Sequence, residues 1–331
     1  MSKQETLILK GIALLMMIMV HIDIYDSAQI VEWGNLSLWK SLSSICFPVP
    51  FFLMLSGYGL RHVYENGDMH HYGRIAKLFV HYWAVMFSFV IIGSIIIGTH
   101  KYPGDITTFI NNITSFHTSY NYACWFLFPF AILSSSHPLI FKLFDKTGAR
   151  FLLIACLLYF VSGFIISHYH FIYKTAPHGL YNLIQVFYML FSFAIGAALK
   201  KYAIIEKMKD WTSGKMNYKV MAFLVLVVMM ILGELLTTTA FHCFQSLIVF
   251  LMIVILIQGR TCCILKHIGE HSMNIWMIHT YILCYIFHKE LYNLHYSIII
   301  YVATLVLSLL CSYGINYITS GIDTKIYSYN L

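Results

Sequence analysis

The sequence predicts an all-α, polytopic membrane protein with about ten transmembrane helices and both termini in the cytoplasm. The first observation is composition: 59% of the 331 residues are hydrophobic and only 11% are charged, whereas about 25% are charged in a typical soluble domain. The second is a mean hydropathy of +0.73. These values leave little room for a soluble catalytic domain. We therefore treat residues 1–331 as a single integral membrane domain and expect any chemistry to lie between the helices.

The third observation is a series of apolar segments, each close to the roughly 20 residues that cross a bilayer as a helix. The first segment is not a cleavable signal peptide, because Lys10 lies near its start and no small-x-small cleavage site follows it. The predicted spans are 6–22, 42–60, 75–98, 122–141, 151–168, 180–199, 219–236, 240–258, 271–288 and 296–319.

The distribution of basic residues predicts the orientation. An even number of spans places both termini on one side, and 17 of the 21 Lys and Arg residues fall on that side. The other side holds Lys40, Lys101, Lys174 and Lys289. By the positive-inside rule the side rich in cations is cytoplasmic. The net charge of +7 is thus a topology signal, and we predict no nucleic-acid partner.

One segment of the sequence resembles a zinc-binding motif, but its surroundings do not suit a metal site. Residues His267 to His271 match the H-x-x-E-H order of a class of metallopeptidases. Gly269 interrupts the helix that such a motif needs, and the downstream carboxylate of Glu290 falls on the opposite membrane face in this topology. We predict no metal site. The sequence also contains no phosphate-binding loop, dinucleotide-binding fingerprint or nucleophile elbow.

Three ionisable residues lie at membrane depth, where such side chains are costly and are functional candidates. They are His21, Glu234 and His279. Lys10 precedes His21 by eleven residues, which is about 16 Å along a helix, so a cation at the cytoplasmic mouth lies below a titratable base. The alternative for His21 is an interfacial histidine that bonds a neighbouring helix. Glu234 is either a buried partner of a histidine or an acceptor-binding group near the outer face.

Two further clusters have both a functional and a structural interpretation. Ser56, with Gly57 and Gly59, forms a small polar patch that suits either close helix packing or a bond to a substrate carbonyl. Arg74 and Lys77 lie three residues apart and so on one helix face. Two cations at the cytoplasmic boundary suit a phosphate-bearing ligand, although lysines and arginines that only extend to the interface look the same.

Taken in order, these residues resemble the motifs of the acyltransferase-3 family of integral membrane acyltransferases, whose bacterial members modify surface polysaccharides. A basic residue, ten intervening residues and a histidine in the first helix match Lys10 and His21. The signature that ends the second helix resembles Phe51, Phe52, Ser56, Gly57 and Tyr58, with one residue more than its shortest form. The basic pair that opens the third helix matches Arg74 and Lys77, although the second Arg is Lys and the usual proline is absent.

Two later motifs extend the resemblance over essentially the whole chain. A Trp-Phe-Leu in the fourth helix is similar to Trp125, Phe126 and Leu127. A late pattern that ends in histidine is similar to Leu265, Ile268, Gly269, Ser272, Ile275, Trp276 and His279. The same pattern accounts for the apparent metallopeptidase motif.

The resemblance implies an acyl-coenzyme A donor, such as acetyl-CoA, and an acceptor hydroxyl on a surface or lipid-linked glycan. It implies that Lys10, Arg74 and Lys77 hold the nucleotide phosphates, and that His21 is the general base or first accepts the acyl group itself. Ser56 and Trp125 would then line the channel, and His279 would orient the acceptor or only pack. Glu234 matches no family motif. The expected location is the bacterial inner membrane, with membrane lipids around the helices.

Two other classes of protein compete with this interpretation. A transporter or flippase would also place His and Glu between helices and cations at the inner mouth, but it would leave its substrate chemically unchanged. A membrane scaffold without chemistry would leave a base and a carboxylate in the bilayer unexplained.

Overall fold

The fold was analysed in a computed structural model that describes residues 1–25, 38–67, 71–168, 177–235 and 239–328. All regular secondary structure in these ranges is helical, which confirms the predicted all-α class. The side chains at several helix ends, that of Glu234 among them, lie outside the described part of the chain.

Sixteen α-helices follow one another along the described chain: α1 Lys3–Tyr25, α2 Leu38–Ser43, α3 Pro48–Glu65, α4 His71–Ile96, α5 Ile106–Ile113, α6 Leu127–Ser135, α7 His137–Thr147, α8 Ala149–His168, α9 His178–Lys201, α10 Ile204–Thr212, α11 Met216–Leu235, α12 His242–Ile257, α13 Cys263–Glu270, α14 Ser272–Thr280, α15 His288–Tyr292 and α16 Ser297–Ser328. Short 3₁₀ helices cover Tyr122–Phe126 and Thr239–Phe241. A π-helix, Tyr281–Ile286, continues α14.

Seven helices in the described ranges are long and apolar enough to cross a membrane, or eight if a bent pair counts as one span. The bent pair joins Tyr122–Ser135 to His137–Thr147 at 59°, where Pro138 near the start of α7 interrupts the helix. The predicted spans 240–258 and 271–288 correspond to the 16-residue α12 and to α14 with its π-helix. The protein is therefore a multi-pass membrane protein, and the predicted count of ten is not confirmed.

The bundle exposes many apolar side chains on its outer surface and buries polar side chains within an apolar core. On α16 the outward residues include Leu310, which is 61% exposed, as suits a helix that faces lipid. The inward face carries polar side chains every three or four residues, namely Thr304, Ser308, Ser312, Asn316, Thr319 and Asp323. This spacing is one face of a helix, so α16 turns a polar stripe toward its neighbours.

Glycines permit the closest helix contacts. A Cβ atom on Gly196 of α9 would lie 2.1 Å from the Met54 carbonyl oxygen of α3, and one on Gly57 would lie 2.0 Å from the Phe193 carbonyl oxygen. A Cβ on Gly269 of α13 would likewise lie 1.9 Å from the Leu7 carbonyl oxygen of α1. Small residues that let two backbones approach are the usual means of helix packing in a bilayer.

A buried hydrogen-bond network holds α14 against α4 and α16. The His81 ring bonds the Asn274 side-chain oxygen at 2.7 Å through Nδ1 and faces Asp323 Oδ2 at 3.1 Å through Nε2. Asn274 donates to Asn316 Oδ1 at 2.8 Å and to Ser312 Oγ at 3.1 Å. Because Asn274 is 2% exposed and bonds two other helices, it fixes the position of α14.

The glycine contacts predict a sharp difference between two alanine substitutions. Gly196→Ala should destabilise the fold by about 1–3 kcal/mol, because the new methyl group meets backbone that cannot yield. Gly314→Ala is the matched control in α16, since a Cβ there would meet nothing within 4 Å. Thermal unfolding in detergent checks both variants. Equal midpoints for Gly196→Ala and wild type would contradict the close packing of α3 and α9.

The buried network predicts that Asn274→Leu destabilises the protein by about 1–3 kcal/mol, because His81 and Asn316 lose a buried hydrogen-bond partner. Asn293→Leu serves as the control, because Asn293 is exposed and no hydrogen bond of its side chain contributes to the network. The measurement is again the thermal midpoint of the purified protein in detergent. A midpoint for Asn274→Leu that matches the control would show that the network does not stabilise α14.

Candidate active site

A cavity of about 1150 Å³ lies between the helices. Along α1 its lining extends from Thr6 to His21, which is about 22 Å of helix. We call the end that holds Thr6, Lys10 and Arg74 the Arg74 mouth. The end that holds Lys40, Ser43, Ser44 and His242 is the Ser43 mouth. Both groups of residues line one cavity, and His21 lines the same cavity.

His21 lines this cavity and is held by two hydrogen-bond partners. Its Nδ1 lies 2.8 Å from the Met17 carbonyl oxygen, one turn earlier in α1, and 3.2 Å from His279 Nε2. The two rings meet edge to face, with centroids 4.9 Å apart. A carbonyl oxygen only accepts, so the network assigns the proton of neutral His21 to Nδ1. Nε2 is then the unprotonated nitrogen, with no partner among the described residues.

His279 is fully buried, at 0% exposure, and does not line the cavity. Its Nδ1 lies 3.1 Å from the Ile275 carbonyl oxygen and therefore carries the proton. Its Nε2 lone pair then points at the Nδ1 proton of His21. The structure thus brings the two predicted histidines together. It places His279 behind His21 and outside the cavity lining.

Lys10 and Arg74 are brought together at the Arg74 mouth. Lys10 shares a face of α1 with His21, because eleven residues are close to three full turns. Neither cation takes part in the ion pairs formed within the described part of the chain. Two cations without carboxylate partners at one mouth suit a ligand that carries phosphate groups.

Lys77, the third residue predicted to hold the donor phosphates, lies outside the cavity lining. Its Nζ is 2.8 Å from Asp323 Oδ2, and the residue is not part of the cavity lining. Arg74 and Lys77 are one helical turn apart, but Asp323 of α16 draws Lys77 toward the network around His81. The structure therefore separates the two cations that the sequence pattern grouped.

Ser56 and Trp125 both line the cavity. Ser56 lines the cavity from α3, whereas the adjacent Gly57 packs against α9. The close helix packing is therefore observed, and the bond from Ser56 to a substrate stays a prediction. Trp125 lies on the 3₁₀ helix Tyr122–Phe126. Trp276 of α14 also lines the cavity and meets Phe126 edge to face at 5.5 Å.

Asn121 couples Trp125 to His279, and sequence reasoning did not find it. Its side-chain nitrogen donates to the Met277 carbonyl oxygen at 2.9 Å, and its side-chain oxygen accepts from Thr280 Oγ1 at 2.7 Å. The same oxygen accepts from the Ala123 amide at 3.1 Å and begins the 3₁₀ helix. Thr280 follows His279 directly, but no spacing in the sequence links it to a residue 159 positions away.

Glu234 is not among the side chains that the structure describes. Its neighbour Gly233 lines the cavity near Ser44. The described lining contains Lys10, Lys40, Arg74 and two histidines, but no carboxylate. The charge that these residues present to a ligand is therefore positive.

The histidines of the H-x-x-E-H motif bond α16 instead of each other. His271 Nδ1 lies 2.9 Å from Ser312 Oγ, and His267 Nε2 lies 2.5 Å from the Tyr313 hydroxyl. Among the residues with described side chains, no group of three or more His, Cys, Asp or Glu is arranged to hold a metal ion.

The chain was compared with known proteins. A sequence profile of the acyltransferase-3 family, described as an acyltransferase domain, matches residues 8–317. No curated protein and no solved structure matches the chain. The profile covers all the motifs around the cavity, from Lys10 to His279. Because this match extends over nearly the whole length of the chain, the chain belongs to the acyltransferase-3 family and is a membrane acyltransferase.

Proposed function

We propose that the protein transfers an acyl group, in the first instance acetyl, from acyl-CoA to a hydroxyl group of a surface or lipid-linked glycan at the bacterial inner membrane. The observation that carries this proposal is the hydrogen-bond state of His21. Met17 and His279 fix Nδ1 as a donor, so Nε2 has the lone pair that a general base needs. Imidazole titrates near neutral pH and can take and return a proton.

Lys10 and Arg74 support the identity of the donor. Their side chains would bind the phosphates of the nucleotide part of coenzyme A, and the pantetheine arm would extend along α1 toward His21. The rise from Lys10 to His21 is about 16 Å, and the cavity is continuous over that distance. Aromatic side chains of Phe52, Trp125 and Trp276 line the intervening space and suit the apolar part of such an arm.

In the proposed reaction, His21 Nε2 accepts the proton of the acceptor hydroxyl while the oxygen attacks the thioester carbonyl. The new C–O bond forms, the C–S bond breaks, and the proton passes from His21 to the departing coenzyme A thiolate. The His21 ring is a cation between these two transfers, and the lone pair of His279 Nε2 stabilises it through the Nδ1 proton. In a two-step route the same nitrogen, Nε2, would carry the acyl group.

The charge of the cavity supports oxygen rather than nitrogen as the acceptor atom. An amine acceptor is protonated near neutral pH and needs a carboxylate to hold it. The described lining has three cations and no carboxylate. A neutral or anionic hydroxyl compound fits this electrostatic field, and a protonated amine does not.

His21→Ala should lower acyl transfer by about 10²–10⁴-fold, the usual contribution of a general base. Membranes with either chain are incubated with acetyl-CoA labelled in the acetyl group and with a glycan extract from the host envelope. Base-labile label in the glycan is measured, and both chains are quantified in the membrane. His62→Ala is the control, since His62 is exposed and is not one of the lining residues. Equal labelling by His21→Ala would exclude the proposed base, and movement of unmodified substrate without label would favour the transporter.

Arg74 and Lys77 provide a matched pair for the donor site. Arg74→Ala should raise the KM for acetyl-CoA by about 10–100-fold, because a charge-assisted contact to phosphate is lost. Lys77→Ala should leave that KM within about threefold of wild type, because Lys77 bonds Asp323 away from the cavity. Initial rates at varied acetyl-CoA and fixed glycan extract measure both values. Equal KM increases in the two variants would contradict the separation of these cations.

A further inference from the structure

A second imidazole lines the cavity and has no role in the proposed reaction. His242 begins α12 at the Ser43 mouth. Its ring packs on Phe47, with centroids 4.9 Å apart and planes at 38°. Neither ring nitrogen has a hydrogen-bond partner within the described ranges. By contrast, His81 bonds Asn274, His271 bonds Ser312 and His279 bonds Ile275.

Contacts around Phe47 place His242 near the level of His21. Ser246, one turn after His242 in α12, donates its hydroxyl to the Phe47 carbonyl oxygen at 3.3 Å. The adjacent Cys46 contacts Met19 of α1, with the two sulfurs 3.8 Å apart. Met19 is two residues before His21. The wall that holds His242 therefore lies beside the outer part of α1, away from the Arg74 mouth.

We infer that His242 is a specificity-determining residue that binds the acceptor as a polyhydroxyl compound through the hydroxyl next to the one that reacts. This inference rests on the proposed function. A neutral imidazole offers one donor and one acceptor, and either nitrogen can bond a sugar hydroxyl, which itself both donates and accepts. The Phe47 ring holds the imidazole plane, so its nitrogens are oriented before the acceptor arrives. His21 then removes the proton of one hydroxyl while His242 holds its neighbour.

The position of His242 in the cavity favours the acceptor over the donor as the substrate that it binds. Lys10 and Arg74, which form no ion pair with the described carboxylates, suit the phosphates of the donor, whereas His242 lies near Met19, toward the other end of α1. The described lining around His242 contains no carboxylate, so a cationic ligand has no partner there. A hydroxyl group needs neither a cation nor a carboxylate as its partner, and an imidazole with two available nitrogens suits it.

The test compares the half-saturating concentration of envelope glycan extract for wild type and His242→Phe. Labelled acetyl-CoA is saturating, and base-labile label in the glycan is the readout. Phenylalanine keeps the aromatic packing on Phe47 but removes both polar nitrogens. We expect the half-saturating concentration to rise about 3- to 10-fold, as for the loss of one or two neutral hydrogen bonds, with an unchanged KM for acetyl-CoA. His242→Gln retains a donor and an acceptor and should stay within about threefold of wild type.

Each outcome bears on the inference. His62→Phe is the control for the substitution and should match wild type. An unchanged half-saturating concentration in His242→Phe, or a shift in the KM for acetyl-CoA instead, overturns the role of His242 and leaves the acyltransferase proposal intact. Absence of label with the wild-type chain overturns the proposed function itself, and this inference with it. If His242→Phe does not fold, Phe47→Leu replaces it, since loss of the ring contact should raise the same concentration about threefold.

Discussion

The hydrogen bond between His21 Nδ1 and His279 Nε2, 3.2 Å long, is the interaction on which the rest of the site depends. A neutral histidine carries its proton on either ring nitrogen, and its hydrogen bonds decide which. Here a carbonyl oxygen from its own helix and a lone pair from α14 both face Nδ1. The other nitrogen, Nε2, is therefore the one with the free lone pair, and His21 lines the cavity. His279 is buried and does not itself line the cavity, so in the proposed reaction it would act through His21 as a positioning residue.

Several buried polar contacts hold α14, the helix that carries His279. Asn274 is held by His81 of α4 and by Asn316 of α16. On its other side, α14 is bonded by Asn121 at the start of the 3₁₀ helix that carries Trp125. In a bilayer, apolar side chains gain little from leaving lipid for protein, so polar bonds and close backbone contacts must fix the helices. The cavity wall and the base are thus positioned by the same bonds.

The cavity arranges charged and titratable side chains in regions along α1. Lys10 and Arg74, which form no ion pair with the described carboxylates, lie at the Arg74 mouth, and Lys40 and His242 lie at the Ser43 mouth. A spacing of eleven residues keeps Lys10 and His21 on one face of a straight helix. In the proposed reaction, this spacing would set the distance between the phosphates of the donor and His21.

The sequence by itself determined the all-α membrane class and the membership in the acyltransferase-3 family, and it singled out His21, His279, Lys10 and Arg74 as candidate site residues. These depend on local composition and on spacing within one helix, which a linear chain displays directly. The tertiary structure decided that His279 bonds His21 and that Lys77 pairs with Asp323 instead of lining the cavity. It further decided that Asn121 bonds α14 and that His242 lines the cavity. It also decided which predicted spans are single long helices and which are bent or short. Contacts between helices far apart in sequence follow from packing, and no periodicity within a helix specifies them.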